Sequence, residues 1–262
     1  MTDAAASILI GCAGWNVPAK VGEHFTAPET AQNSHLERYA SVLPVVEINT
    51  SFYRPHMPAT YARWRDSVPP GFRFSVKMPR ALTHEARLQD TDGLLAKFLF
   101  EAGHLEEKLG CLLVQLPPSL AFDAFSAELF FDQLRMRTGV PVVCEPRHAS
   151  WFGETAAAML ARLEIAYVRA DPPPVALPVP TGFDQTVYVR LHGSPVIYRS
   201  AYAQSFLEST ATELAQHYRE GRQVWCIFDN TAEGHAVPNA LSLLGLGVPA
   251  ERRRSRRKPS RE

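Results

Sequence analysis

Phe72-Arg73-Phe74-Ser75-Val76-Lys77 is the stretch from which the fold can be read. Side chains alternate across a strand, so Phe72, Phe74 and Val76 share one face while Arg73, Ser75 and Lys77 share the other. The aromatic face must pack beneath covering helices, which turns the polar face inward. The same alternation sets Glu47 and Asn49 opposite Val46 and Ile48. It also sets Tyr188, Arg190 and His192 opposite Val187, Val189 and Leu191. Gln115, Glu145 with Arg147, and Arg169 with Asp171 close three more strands. Polar groups thus collect inside a sheet at the carboxyl ends of its strands, where barrel enzymes carry their chemistry.

Outward from that stretch, strands are expected at Ile8–Cys12, Val45–Asn49, Phe72–Lys77, Cys111–Leu116, Val142–Glu145, Ile165–Arg169, Val187–His192 and Val224–Phe228. Helical patterns lie between them. Ser34 with Glu37 forms a capping box ahead of Leu36, Tyr39 and Leu43, and Pro58 suits a first turn before Tyr61, Trp64 and Val68. Phe125, Leu129 and Leu134 make an apolar stripe, and Ser205 with Glu208 reads as a second capping pair. Strict alternation of strand with helix or long loop predicts parallel strands joined by right-handed crossovers. The expected fold is α/β, a single (β/α)8 barrel of TIM type. The alternative, an open doubly wound sheet, usually carries a glycine-rich phosphate loop after its first strand, and none is present.

Composition agrees: 262 residues, 46% hydrophobic and 21% charged, are those of a globular chain and exclude disordered or fibrous readings. Residues 1–250 are expected to form the barrel, with 251–262 as an Arg-rich, disordered basic tail. The 27 basic and 27 acidic residues cancel, but the tail carries a net +5 and the body −5. An acidic body argues against a broad nucleic-acid face. No apolar run reaches membrane-spanning length, so no membrane partner is expected. The N-terminus lacks a basic segment before its short apolar stretch, which argues against a secretory signal. Cys12, Cys111, Cys144 and Cys226 all fall in expected strands without CxxC spacing, consistent with buried packing and a cytoplasmic location.

Inward charges on the expected strands are five positive (Arg73, Lys77, Arg147, Arg169, Arg190) and three negative (Glu47, Glu145, Asp171). A net positive mouth in an acidic body favours a small anionic ligand. Arg190, His192 and Gly193 follow the seventh strand and Asn230, Thr231 and Gly234 the eighth, and these two loops are a frequent phosphate site in barrels. Each such residue also has a plainer reading. A glutamate beside Arg or Lys is often a structural ion pair, and a barrel histidine is often simply hydrogen-bonded. GxSxG, Walker, HExxH and dinucleotide signatures are absent, so no cofactor is expected. A divalent metal on Glu47, Glu145, His84 and His192 is the alternative, opposed by the nearby cations Lys77 and Arg190.

IGCAGW (10–15), VEINTSFY (46–53), FRFSVKMPRALTH (72–84), QLPPS (115–119), EPRHASW (145–151), YVRLHG (188–193) and FDNTAEGHAVPNA (228–240) occur in that order. With these motifs the chain resembles the YecE-like family, a domain of unknown function numbered 72. The resemblance covers nearly the whole chain up to about residue 245. It implies a TIM-type barrel and no established reaction. INTSFY stands here where INSTFY is expected, an exchange of two hydroxyl residues. The Arg-rich tail has no counterpart. Carried over position by position, the motif residues are Glu47, Asn49, Tyr53, Lys77, His84, Gln115, Glu145, Arg147, Arg190, His192 and Asn230.

The expectation from both arguments is an enzyme of hydrolase or isomerase type acting by Glu/Lys acid–base chemistry on a small anionic substrate, phosphorylated ones included. Glu47, Lys77, His84 and Glu145 are the candidate catalytic residues, with a glutamate as base and His84 or Tyr53 as partner acid. Asn49, Tyr53, Gln115, Arg147, Arg190, His192 and Asn230 are the candidate substrate-binding residues. Two glutamates on separate strands could also serve glycosidic hydrolysis. The alternatives are a metal-dependent phosphodiester hydrolase acting on nucleic acid and a non-catalytic metabolite binder.

Overall fold

A computed structural model describes residues 8–25, 34–180 and 182–248. Eight parallel strands close into a barrel in sequence order: β1 (Ile8–Ala13), β2 (Val45–Ile48), β3 (Arg73–Lys77), β4 (Leu109–Gln115), β5 (Val142–Glu145), β6 (Ile165–Asp171), β7 (Thr186–Leu191) and β8 (Gln223–Phe228). Pairing of β1 with β8 shuts the ring. The helices are α1 (His35–Ala40), α2 (Thr50–Tyr53), α3 (Pro58–Asp66), α4 (Asp92–Ala102), α5 (Ala124–Arg137), α6 (Glu154–Arg162), α7 (Gln204–Arg219) and α8 (Ala236–Gly245). Every expected strand is present within a few residues of its expected ends. No helix separates β6 from β7 among the described residues; the proline-rich stretch starting at Pro172 crosses there instead. The expected basic tail, 251–262, lies outside the described residues.

Outward-facing strand residues such as Phe74, Val76, Leu112, Val114 and Phe228 form one large core with the helices. Leu9, Val45, Cys111, Leu113, Val143, Ala166, Val168, Tyr188, Trp225 and Ile227 fill the barrel itself, with the Tyr188 and Trp225 rings stacked at 5.8 Å. Gly11 lets β1 approach β2: a Cβ there would stand 2.0 Å from the Val45 carbonyl oxygen. All four cysteines are free and buried.

Local expectations fare unevenly. Ser34 and Glu37 form the capping box on α1, with both reciprocal hydrogen bonds made. Ser205 and Glu208 do not cap α7, which begins a residue earlier with Ala203 as its N-cap. On α5 the buried stripe is Ala127, Phe130, Phe131 and Leu134, leaving Phe125 and Leu129 exposed. The four-residue apolar stripe buries more surface than the three-residue one and sets the helix rotation.

Three charges expected in the mouth lie elsewhere. Arg73 begins β3, at the opposite end of the barrel, and donates to the Pro70 and Phe72 carbonyls. On β6 the small residues Ala166, Val168 and Ala170 face inward, because the crowded interior has no room for Tyr167. Arg169 therefore points out to Glu213 and His217 on α7, and the Asp171 carboxylate accepts from the Tyr202 hydroxyl.

Candidate functional site

The guanidinium of Arg190, on β7, occupies the barrel axis at the level where the apolar filling ends, and it is completely buried. Its Nε and Nη2 hold both Glu47 oxygens, at 3.0 and 2.7 Å. Nη1 donates to Glu145 at 2.8 Å and Nη2 to Asp229 at 3.0 Å. Burial opposes the charge, yet the three carboxylates hold the Arg190 pKa well above its ordinary value. The remaining Nη1 hydrogen faces His192, at 3.4 Å. Arg190, expected to bind an anion, gives four of its five N–H groups to carboxylates of the protein itself.

The carboxylates are equally occupied. Glu47 also accepts from the Tyr188 hydroxyl at 2.8 Å, and Ser75 supports that hydroxyl at the same distance. Glu145 takes Arg147 at 2.9 and 3.1 Å and His192 at 3.2 Å. Burial alone would raise the Glu145 pKa, but Arg190, His192 and Arg147 hold it well below the usual carboxylate range. Asp229 is lowered for the same reason, with burial opposed by Arg190 and His192. His192 points Nδ1 at Asp229 (3.0 Å) and Nε2 at Glu145. Burial opposes its charge, but the two acceptors raise its pKa, so the ring is an imidazolium below that raised value.

Lys77, inward at the mouth end of β3, stands apart from this ring of ion pairs. It is 9% exposed, and among the described residues its ammonium makes no hydrogen bond or ion pair. Nζ instead lies 4.1 Å from the centre of the Phe52 ring. The sequence just after β2 builds that contact. Ser51 donates to the Lys77 carbonyl at 2.7 Å and to that of Ile48 at 3.0 Å, tying the single turn α2 to the end of β3. Burial and the nearby Arg190 charge bring the Lys77 pKa down to about 8, against the pull of Glu47, Glu145 and Asp229. His84, on the π-helical turn Ala81–Glu85, packs edge-on against Phe52, with 4.9 Å between ring centres. Burial and the surrounding Lys77, Arg80 and Arg147 lower its pKa to about 4, leaving a neutral imidazole at pH 7.

Beside Glu145, Arg147 and His192 opens a cleft of about 210 Å³, walled by Pro172, Pro173, Pro174, Ile197 and Tyr198. Tyr198 holds a φ of 67°, and its backbone N–H donates to the His192 carbonyl. Gly193 makes that turn possible: its φ is 97°, and a Cβ would stand 2.9 Å from the Ser200 carbonyl oxygen.

Of the expected residues, the structure brings Glu47, Glu145, Arg147, Arg190 and His192 into one network. Lys77 lies next to it, and His84 is grouped with Lys77 through Phe52. Asn49 reaches the network through a 3.4 Å hydrogen bond to Asp229, and its Oδ1 is buried without a partner. Gln115 faces inward but donates to the Leu116 carbonyl. Tyr53 is 73% exposed and packs only on Phe52. Asn230 points outward and braces Ser200 and Asn239 rather than the mouth. Asp229 and Tyr198 are the residues that the sequence reading missed. The four residues weighed as metal ligands do not converge on a cation site: Glu47 and Glu145 close on a guanidinium, and His84 is taken up by Thr83 and Phe52. Among the described residues no three His, Cys, Asp or Glu side chains could hold a metal ion together.

Comparison with known proteins sets this arrangement in a family. The UPF0759 protein YunF of Bacillus subtilis (strain 168) is 27% identical over 274 aligned residues, spanning 91% of this chain and 94% of YunF. The UPF0759 protein YecE of Escherichia coli (strain K12) is 34% identical over 110 residues, 42% of this chain and 38% of YecE. Crystal structures of DUF72 family proteins share the fold. One from Enterococcus faecalis V583 superposes with a TM-score of 0.76 at 20% identity, covering 97% of this chain and 100% of that one. One from Thermotoga maritima MSB8 gives 0.75 at 23% identity, covering 92% and 98%. The family described as "Protein of unknown function DUF72" matches residues 9–261, and this chain, with its closed barrel and buried arginine, belongs to that family.

Proposed function

We propose that the barrel mouth is the active site of an enzyme that performs acid–base chemistry on a small anionic substrate, with Lys77 as the group that moves the proton. One observation carries this reading: a buried lysine at the carboxyl end of a barrel strand makes no hydrogen bond or ion pair through its ammonium among the described residues. An uncompensated ammonium costs stability, and such groups concentrate where chemistry needs them. A pKa near 8 also leaves both protonation states populated close to neutrality.

The expected division of labour is thereby altered. Glu47 is fully buried and accepts three hydrogen bonds, and Glu145 is held as a carboxylate by three cations. Neither suits a proton carrier. Their role is to hold Arg190, whose charge in turn lowers the Lys77 pKa. Glycosidic hydrolysis loses ground on the same account, since its general acid needs a carboxyl with a raised pKa. Nucleic-acid hydrolysis by metal ions loses ground because the carboxylates surround a guanidinium.

The anionic substrate follows from Lys77 and Arg147 beside a neutral His84, Arg80 being already paired with Glu85 at 3.0 Å. That side of the mouth is positive, and a phosphate or carboxylate group would neutralise it. Four free buried cysteines fit a reducing, cytoplasmic setting. No helix among the described residues is long and apolar enough to cross a membrane.

Inorganic phosphate tests the reading. It should raise the melting temperature of the protein in proportion to the logarithm of its concentration, and Lys77→Met and Arg147→Met should each lose most of that rise. No phosphate effect, or one that survives both substitutions, overturns it.

A further inference from the structure

We propose that Lys77 is a covalent amine catalyst, condensing with the carbonyl carbon of a small anionic aldehyde or oxo acid to form an iminium; this rests on the mouth being the active site, as argued above. The surroundings of Nζ fit that chemistry better than proton transfer alone. An amine nucleophile must be free of carboxylates that would fix its proton, shielded from bulk water, and close to another cation that discourages protonation. Lys77 meets all three conditions.

The other described lysines supply the contrast. Lys108 is also buried, but its Nζ donates to the carbonyls of Arg65 at 2.6 Å and Val68 at 2.7 Å, so it is a structural tie. Lys97 is exposed and faces Glu101 at 3.9 Å. At Lys77 the nearby carboxylates are all drawn onto Arg190 instead. The chain uses arginine, which cannot lose its proton in a protein, for the permanent positive charge, and lysine, which can, beside it.

The step balances without an oxidant or cofactor. Neutral Nζ attacks the carbonyl carbon, forming the C–N bond and moving the carbonyl electron pair onto oxygen. Of the three ammonium protons, the one released to make Nζ neutral returns to the carbinolamine oxygen, a second passes from nitrogen to that oxygen so that it leaves as water, and the third stays on the nitrogen, which carries the positive charge of the iminium. His84, a neutral imidazole edge-on to Phe52 and near enough to feel the Lys77 charge, would relay the proton from nitrogen to oxygen. Arg147 would hold the substrate's carboxylate or phosphate. The iminium then serves as an electron sink for deprotonation or C–C cleavage at the adjacent carbon.

Reductive trapping is the test. The full-length protein is incubated with glyoxylate, or with pyruvate, together with sodium cyanoborohydride at pH 7, and modified lysines are located by peptide mass mapping. At that pH the free-amine fraction of Lys77 is roughly two hundred times that of an ordinary lysine. Burial of Lys77 reduces the advantage, and a preference over Lys20 and Lys97 of at least about tenfold is expected. Inorganic phosphate should suppress the Lys77 adduct without touching the others, a readout that needs no variant to fold. Lys77→Arg, which keeps the charge, should abolish it. Adducts confined to surface lysines overturn the covalent step. If phosphate still raises the melting temperature through Arg147 in that case, acid–base chemistry stands without the covalent step; if it does not, both readings fall together. An adduct at Lys77 indifferent to phosphate keeps the nucleophile and overturns the choice of an anionic substrate.

Discussion

Replacing Lys77 with methionine removes one buried ammonium while keeping a side chain of similar length and flexibility. Its effect on stability should depend on pH in a way that isolates this one group. The Lys77 pKa falls from an ordinary 10.5 to about 8 on folding. At about 1.4 kcal/mol for each tenfold change in proton affinity, holding the charged form in place costs the native state at most about 3 kcal/mol. The sign follows from proton counting. Between pH 8 and 10.5 the unfolded chain keeps the lysine proton and the native protein does not, so raising the pH stabilises the native protein. Below pH 8 the full cost is present. The stability of Lys77→Met relative to the parent should therefore fall by up to about 3 kcal/mol as the pH rises from 7 to 11. Buried thiols and phenols, such as Cys12 with its pKa pushed up to about 12, lose stability over the same range. They do so in both proteins and cancel in the difference. Urea unfolding followed by tryptophan fluorescence at each pH gives that difference directly. A gap that stays constant would mean that Lys77 titrates like a surface lysine and would remove the basis for its chemistry. A gap that widens with pH would mean that Lys77 is ion-paired.

Arg190→Met should destabilise the protein by about 3–5 kcal/mol in urea unfolding at pH 7, because Glu47, Glu145 and Asp229 lose their shared counter-ion. The loss should shrink in acid, where the stranded carboxylates take up protons; an undiminished loss at pH 4 would contradict a purely electrostatic cause. His192→Gln tests the imidazolium: its contribution in the parent is present below pH 6.5 and disappears as the pH rises through the raised native value, and the variant should lack that slope. Gly11→Ala, whose Cβ would meet the Val45 carbonyl, should prevent folding or cost more than about 4 kcal/mol, whereas Gly139→Ala, with open space around it, should fold normally. Phe125→Ser should shift urea stability by less than about 0.5 kcal/mol, since that ring is exposed on α5.

The barrel was legible because its strands are marked twice, by alternation within each and by helical spacing between them. Phe72-Phe74-Val76 against Arg73-Ser75-Lys77 leaves one choice of face, and Lys77 duly points inward. Parity failed where both faces are apolar. On β6, Ala166 and Ala170 against Tyr167 differ in size rather than polarity, and size is what the interior selects, so Arg169 was turned the wrong way. Asp229 escaped for a related reason. Trp225 and Ile227 share its face, Cys226 and Phe228 the other, and nothing in hydropathy says which pair lies inside. Had the Trp225 face been assigned to the barrel, Asp229 would have followed at the mouth and Asn230 would have dropped out. Clamping of Arg190 by three carboxylates could not be read at all, because parity gives the face of a side chain and not its partners.

Arg190 draws Glu47 from 143 residues away, Glu145 from 45 and Asp229 from 39, so its partners sit on β2, on β5 and just past the end of β8. Neither half of the barrel, cut between β4 and β5, contains the set. A nascent chain emerging as far as β6 holds two carboxylates facing an empty axis, and the arginine arrives only with β7. The closure entropy of the longest connection must be met before the ion pairs can offset it, so the mouth is among the last parts of the molecule to become itself. The barrel is thus built to mature all at once, with its buried ion-pair cluster withheld from every fragment and every incomplete ring.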